Sequence, residues 1–94
     1  PNEWLMEGLL TIEEFKDFFD IEDDLPEEDE DLYKTLGGLM TYGVGRIPRE
    51  TDTYEWENFT FEVMDMDNLR VDKILVTRKE VSDTEEASNR NSDK

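Results

Sequence analysis

The sequence contains no cysteine and no histidine. Without cysteine there can be no disulfide, no thiolate nucleophile and no cysteine-ligated zinc or iron–sulfur centre. Without histidine the commonest general base and the commonest transition-metal ligand are missing. Long apolar runs are also absent. None approaches the roughly 20 residues that cross a bilayer, so direct membrane insertion is not expected. The N-terminus has neither the basic start nor the apolar stretch of a signal peptide. It opens Pro1-Asn2-Glu3-Trp4, which reads as a domain cut from a longer protein.

Positive charge is scarce. Ten Lys and Arg face 27 Asp and Glu, a net charge of −17, which argues against DNA or RNA as a partner. The imbalance is concentrated at the front: residues 1–36 hold 14 acids against Lys16 and Lys34 alone. Such a surface keeps a protein soluble, repels anionic lipid, attracts cations and can dock a basic partner. The 94 residues suffice for one small domain with a modest core.

Apolar spacing supplies the elements. Trp4-Leu5-Met6 suits a short strand ending in a turn or bulge at Gly8. Thr11 and Glu14 form a capping box, and Ile12, Phe15, Phe18 and Phe19 lie on one helical face as core. Pro26 disfavours helix at Leu25. The acidic stretch is read as a loop to about Asp29, with Asp29 to Asp31 at the start of a second helix. Leu32, Leu36, Leu39, Met40 and Val44 give that helix its period, Gly45 its left-handed cap and Pro48 its stop. Tyr54 and Trp56, then Phe59, Phe61 and Val63, alternate as strands, with turns at Glu57-Asn58 and Asp67-Asn68. Val71 and Ile74 break strict alternation, which predicts an extra residue near Asp72 or Lys73. These pieces form a three-stranded antiparallel meander. The fold class is α+β: an antiparallel β-sheet with two short helices packed on it. Residues 1–78 form the domain. Residues 79–94 carry almost no apolar side chains and are expected to be a disordered acidic and polar tail.

Few residues suggest chemistry. Gly43-Val44-Gly45-Arg46-Ile47-Pro48 reads G-x-G-x-x-P, close to a dinucleotide fingerprint. That fingerprint needs a strand before it and a helix after it. Here the order is reversed and the third glycine is missing, so packing is the expected role, with Gly38 against the sheet. Aligned to a calcium-binding loop, the acid run offers Asp20, Glu22, Asp24, Glu28 and Asp31, but Leu25 stands where glycine is needed and Pro26 follows. Weak divalent-cation association is expected there, without a specific site. Ser82, Ser88 and Ser92 lie in the tail with no base in reach, and no carboxylate pair is flanked by the rest of a catalytic site, so the chain is not expected to be an enzyme. Tyr54, Trp56, Phe59 and Phe61 lack the basic residues of a nucleic-acid stacking surface and are read as core.

In order and spacing these motifs resemble the transporter-associated domain at the C-terminus of CorC/HlyC-type proteins. The likeness rests on Trp4-Leu5-Met6-Glu7-Gly8, Ile12-Glu13-Glu14-Phe15, Thr35-Leu36-Gly37-Gly38-Leu39, Val44-Gly45-Arg46-Ile47-Pro48 and Phe61-Glu62-Val63-Met64-Asp65-Met66-Asp67. It covers about residues 3–78. Lys34 stands where the family usually has an acid, and Thr41-Tyr42-Gly43 where it usually has bulkier residues. The resemblance implies a regulatory domain of hemolysin-like or magnesium and cobalt efflux proteins. Its partners would be a CBS-domain pair and a transmembrane domain of the same protein, on the cytoplasmic side of the bacterial inner membrane. It also implies a fold similar to one that binds FAD. A flavin or adenine-nucleotide site and a structural homodimer are the alternatives, the latter favoured if Tyr54 and Trp56 form an exposed stripe.

Overall fold

The computed structural model describes residues 2–26, 28 and 32–79. The elements run β1 (Glu3–Glu7), α1 (Ile12–Phe19), α2 (Leu36–Val44), β2 (Thr53–Trp56), β3 (Phe59–Asp67) and β4 (Arg70–Arg78). The four strands form one antiparallel sheet in the order β1-β4-β3-β2. The expected meander is therefore extended by β1, which returns to pair with the last strand.

Residues directly opposite one another share a face of the sheet. One cross-sheet row reads Trp4, Val76, Phe61, Tyr54, and the next outward-facing row reads Leu5, Leu75, Glu62, Thr53. The first row faces the helices. Phe15 and Phe19 of α1 and Leu36, Leu39 and Met40 of α2 bury there with Phe61, Val63, Ile74 and Val76. Phe15 sits among Phe19, Phe59 and Phe61, with ring centroids 5.1, 5.4 and 5.6 Å away. The guanidinium of Arg78 closes one end of this cluster, 5.3 Å from the Phe19 ring and 5.8 Å from that of Trp4.

The capping box on α1 is present: Glu14 N–H donates to Thr11 Oγ1 and Thr11 N–H to Glu14 Oε1, each at 3.0 Å. The second helix begins later than its apolar period suggests. Its N-cap is Thr35, whose hydroxyl accepts from Gly38 N–H at 3.1 Å. Leu32 is exposed, and Asp29 to Asp31 lie outside the described residues. Thr35 sits opposite Thr11 in an isolated antiparallel bridge, so the two caps are stitched together. Ile12 N–H donates to Lys34 C=O and Leu36 N–H to Leu10 C=O, both at 2.9 Å. This pairing fixes where α2 can start. The residues expected to form the tail from 80 onward also lie outside the described set.

The β3–β4 hairpin turns at Asn68-Leu69, one residue later than expected, with Asn68 at φ 60°. It carries two irregularities. Met64 has no partner between the pairs Val63–Ile74 and Asp65–Lys73, and Asp72 has none between Asp65–Lys73 and Met66–Val71. The second was legible in the spacing of Val71 and Ile74, and the first was not.

Gly45 caps α2 at φ 86°. A Cβ there would meet nothing within 4 Å, so only backbone strain opposes a side chain. Gly45→Ala is expected to cost about 1 kcal/mol, the strain of a left-handed alanine, measured by urea unfolding.

Candidate functional site

A cleft of about 610 Å³ is lined by Gly8, Gly37 and Gly38, not by Gly43 and Gly45 of the fingerprint-like stretch. Its walls are the start of α2 (Thr35, Gly37, Gly38), the Gly8-Leu9 turn and the β3–β4 turn with Arg70. A helix start attracts anions when its first N–H groups are free. Here they are not. Leu36 N–H donates to Leu10 C=O, Gly37 N–H to Gly8 C=O, Gly38 N–H to Thr35 Oγ1 and Leu39 N–H to Thr35 C=O. All four donors that could cradle a phosphate are bonded within the chain.

The glycines instead permit close approach. A Cβ on Gly8 would stand 1.9 Å from Val71 O, and one on Gly43 would stand 2.4 Å from the Tyr54 ring. Of the Gly37-Gly38 pair it is Gly37 that points toward β4, with Gly8 O at 3.1 Å and Val71 Cβ at 3.4 Å from its would-be Cβ. Gly38 does not face the sheet as expected. Its nearest neighbours are Tyr33 and Thr35.

Arg46, the cation in the fingerprint-like stretch, is also engaged internally. Its guanidinium lies 2.9 Å from the Asp52 carboxylate, which also accepts from Arg49 N–H at 2.8 Å. Asp52 C=O accepts from Val63 N–H at 2.9 Å, tying the loop after α2 to β3. The Arg46 hydrogen bond, followed by that from the Arg49 backbone, holds the Asp52 carboxyl below its ordinary value. A lowered pKa means that this contribution to stability is present at neutral pH. It is lost as pH falls through the folded value. Arg46→Ala is expected to raise the Asp52 midpoint towards that of a free aspartate, but only part-way because the Arg49 N–H remains. A carboxyl NMR titration reads this directly, and an unmoved midpoint would refute the assignment.

The five candidate carboxylates do not share one role. Asp20 is the left-handed C-cap of α1 at φ 57°. Glu22 is exposed. Glu28 accepts from Leu25 N–H at 2.9 Å and pairs with Lys16 Nζ at 3.2 Å, and Asp24 lies 3.7 Å from the same ammonium. Asp31 lies outside the described residues. A lysine thus already stands between two of the five. Among the described residues no three acids converge on a metal-sized site. The loop is anchored by Leu25, read from the sequence as a misfit to a calcium loop, and by Tyr33, which the sequence reading did not single out. Leu25 is buried, and the Tyr33 hydroxyl donates to Pro26 C=O. The available signal was Lys16 itself, one of only two bases in the first 36 residues.

Tyr54 and Trp56 are half-buried and stack on Phe61 and Phe59. Burial pushes the Tyr54 phenol above its ordinary value, with a smaller push from Tyr42. They form part of the inner face rather than an exposed stripe. No helix among the described residues is long and apolar enough to cross a membrane.

Residues 1–80 match the model of the CorC_HlyC family, described as the transporter associated domain. A UPF0053 protein of Synechocystis is 45% identical over 87 residues, which is 90% of this chain and 19% of that protein. The polyamine export protein of Escherichia coli is 39% identical over 82% of this chain and 17% of its own length. The chain therefore spans about a fifth of these relatives. Among solved structures, a CorC_HlyC domain of a Xylella fastidiosa hemolysin, in complex with magnesium and manganese, is 31% identical with a TM-score of 0.70. That match covers 83% of this chain and 89% of the other.

Proposed function

Because the chain belongs to the CorC/HlyC transporter-associated domain family, we propose that it is a non-enzymatic regulatory or interaction module of a membrane transport protein. In this reading it lies on the cytoplasmic side of the bacterial inner membrane, beside a CBS-domain pair, and modulates the passage of a cation. The observation that carries the reading is the charge: a net −17 over 94 residues. An excess of this size raises the local concentration of multivalent cations and favours basic partners. The relatives' names agree in kind, since polyamines, magnesium and manganese are all cationic. Magnesium or cobalt efflux and polyamine export are alternative cargoes within this class.

A flavin or adenine-nucleotide site finds little support. The N–H groups of Leu36 to Leu39 are bonded within the chain, and Arg46 is committed to Asp52.

The test is a chimera. Replacing the matching segment of the Escherichia coli polyamine export protein with this chain is expected to preserve polyamine export. Deleting that segment is expected to change export while leaving the protein in the membrane. Export unaffected by the deletion would defeat the regulatory reading. A parallel NMR titration of the chain with Mg²⁺, Mn²⁺, FAD and AMP addresses the ligand. Diffuse millimolar shifts with the metals are expected, and saturable, localised shifts with FAD or AMP would overturn the reading.

A further inference from the structure

Among the described residues no strand pairs with the outer side of β1, where the Glu7 C=O accepts from Leu10 N–H at 3.1 Å. The hydrogen-bonding ladder of β1 to β4 is bracketed by Arg78 N–H to Asn2 C=O at 2.9 Å and Gly8 N–H to Asp72 C=O at 2.8 Å. Backbone groups alternate sides along a strand. Even-numbered residues of β1 therefore face β4, and the N–H groups of Glu3, Leu5 and Glu7 face away from the sheet. Beside this open edge runs an apolar groove of about 690 Å³ lined by Trp4, Leu5, Met6, Leu9, Leu10 and Phe18. Three of its residues are among the most exposed large apolar side chains described: Leu5 at 62%, Leu9 at 63% and Phe18 at 59%. Glu7 and Glu14 also line it, and Glu3 flanks it.

The acids decide which strand fits. A second copy adding antiparallel about Leu5 would set Glu3 opposite Glu7 twice, and like charges directly opposite destabilise a pair. Residues 80–94 offer only Val81 and Ala87 as apolar side chains, too few to fill the groove. A strand with basic ends and an apolar middle satisfies both the charges and the groove.

We infer that the outer edge of β1 is a docking site for an extended segment of a partner protein. The segment adds as a fifth antiparallel strand, apolar at three consecutive positions and basic at the residue on either side. The bases face Glu7 and Glu3. The central apolar residue packs on Leu5 on the open face, and its two neighbours enter the groove beside Trp4, Met6 and Phe18. Main-chain bonds to the strand edge supply affinity and the alternating side chains supply specificity. This inference does not depend on the transport reading.

The probe is a synthetic peptide, Gly-Lys-Val-Leu-Val-Arg-Gly with blocked ends, titrated into the labelled 94-residue chain. Saturable NMR shifts confined to residues 3–10 and Phe18 are expected. Affinity should fall at least about tenfold when glutamates replace the peptide's two bases, and should weaken with salt. Leu5→Pro removes an outward N–H without removing a bond to β4, since proline is tolerated on an open edge. It is expected to abolish binding while the rest of the spectrum is retained. A Glu3→Lys/Glu7→Lys variant should reverse the preference between the two peptides, and it keeps the test decisive if Leu5→Pro does not fold. Several results would overturn the inference: no binding, equal binding of both peptides, undiminished binding by folded Leu5→Pro, or shifts spread over the whole acidic surface. Self-association of the free chain through residues 3–7 would also overturn it, in favour of a second copy.

Discussion

Gly8→Ala is expected to destabilise the domain by about 3 kcal/mol, the upper end for forced overpacking. The added methyl would stand 1.9 Å from the Val71 carbonyl oxygen and 2.8 Å from its carbon. Both atoms belong to the backbone, so no side chain can rotate out of the way. The strand or the turn must move, and three elements meet here. Gly8 N–H is bonded to Asp72 C=O in β4, and Gly8 C=O accepts from Gly37 N–H at the start of α2. Shifting this turn strains the β1–β4 ladder and the helix start together. At roughly 4 °C or more per kcal/mol for a domain of this size, the thermal midpoint should fall by about 12 °C or more. Circular dichroism melts and urea unfolding, with Gly45→Ala as the companion, separate the causes. Gly45 tests backbone conformation in open space, and Gly8 tests space. A loss at Gly8 no larger than at Gly45 would refute the steric account.

Phe15→Ala should cost as much or more, about 3–5 kcal/mol. Phe15 has no exposed surface and lies among three other phenylalanine rings contributed by α1 and β3. Truncation leaves a cavity that those rings cannot close without leaving their own contacts. Small domains have only about 5–15 kcal/mol of stability in total, so the variant should be partly unfolded at 37 °C. Phe18→Ala supplies the contrast from the same helix. Its ring is 59% exposed, so its loss should change stability by no more than about 1 kcal/mol. Equal effects at the two positions would mean that the cluster around Phe15 does not anchor α1.

That difference between Phe15 and Phe18 marks where the sequence was readable. A 3.6-residue period placed both on the apolar side of α1, and the period is local. How far the sheet extends beneath each ring is not local, and Phe18 proves to lie beyond the core. The same limit explains α2. Leu32 fits the helical spacing, but the Thr11–Thr35 bridge, which sets the start, joins residues 24 positions apart. The capping box of α1, the Gly45 cap and the alternation of β3 were legible because each acts over a few residues. The sites turned on pairings at longer range: Lys16 with Glu28, Arg46 with Asp52, Gly37 with Gly8. No pattern of spacing encodes those contacts. They are set by where the loops and helix ends settle on the folded sheet.

The two unpaired residues of the β3–β4 hairpin have different standing in the history such a chain can undergo. Each occupies a position where its strand is one residue longer than the pairing needs. Met64 is exposed, and its removal would leave Val63, Met66 and every cross-strand partner on their present faces. Asp72 is equally surplus to the ladder, yet its carbonyl holds Gly8 N–H. The chain can therefore lose the residue at position 64 and keep the register on either side of it. The same deletion at 72 would remove the β4 carbonyl that holds the Gly8 N–H. A length change that is silent on one strand of a hairpin is structural on the other, although the two positions are near neighbours across the same pair of strands.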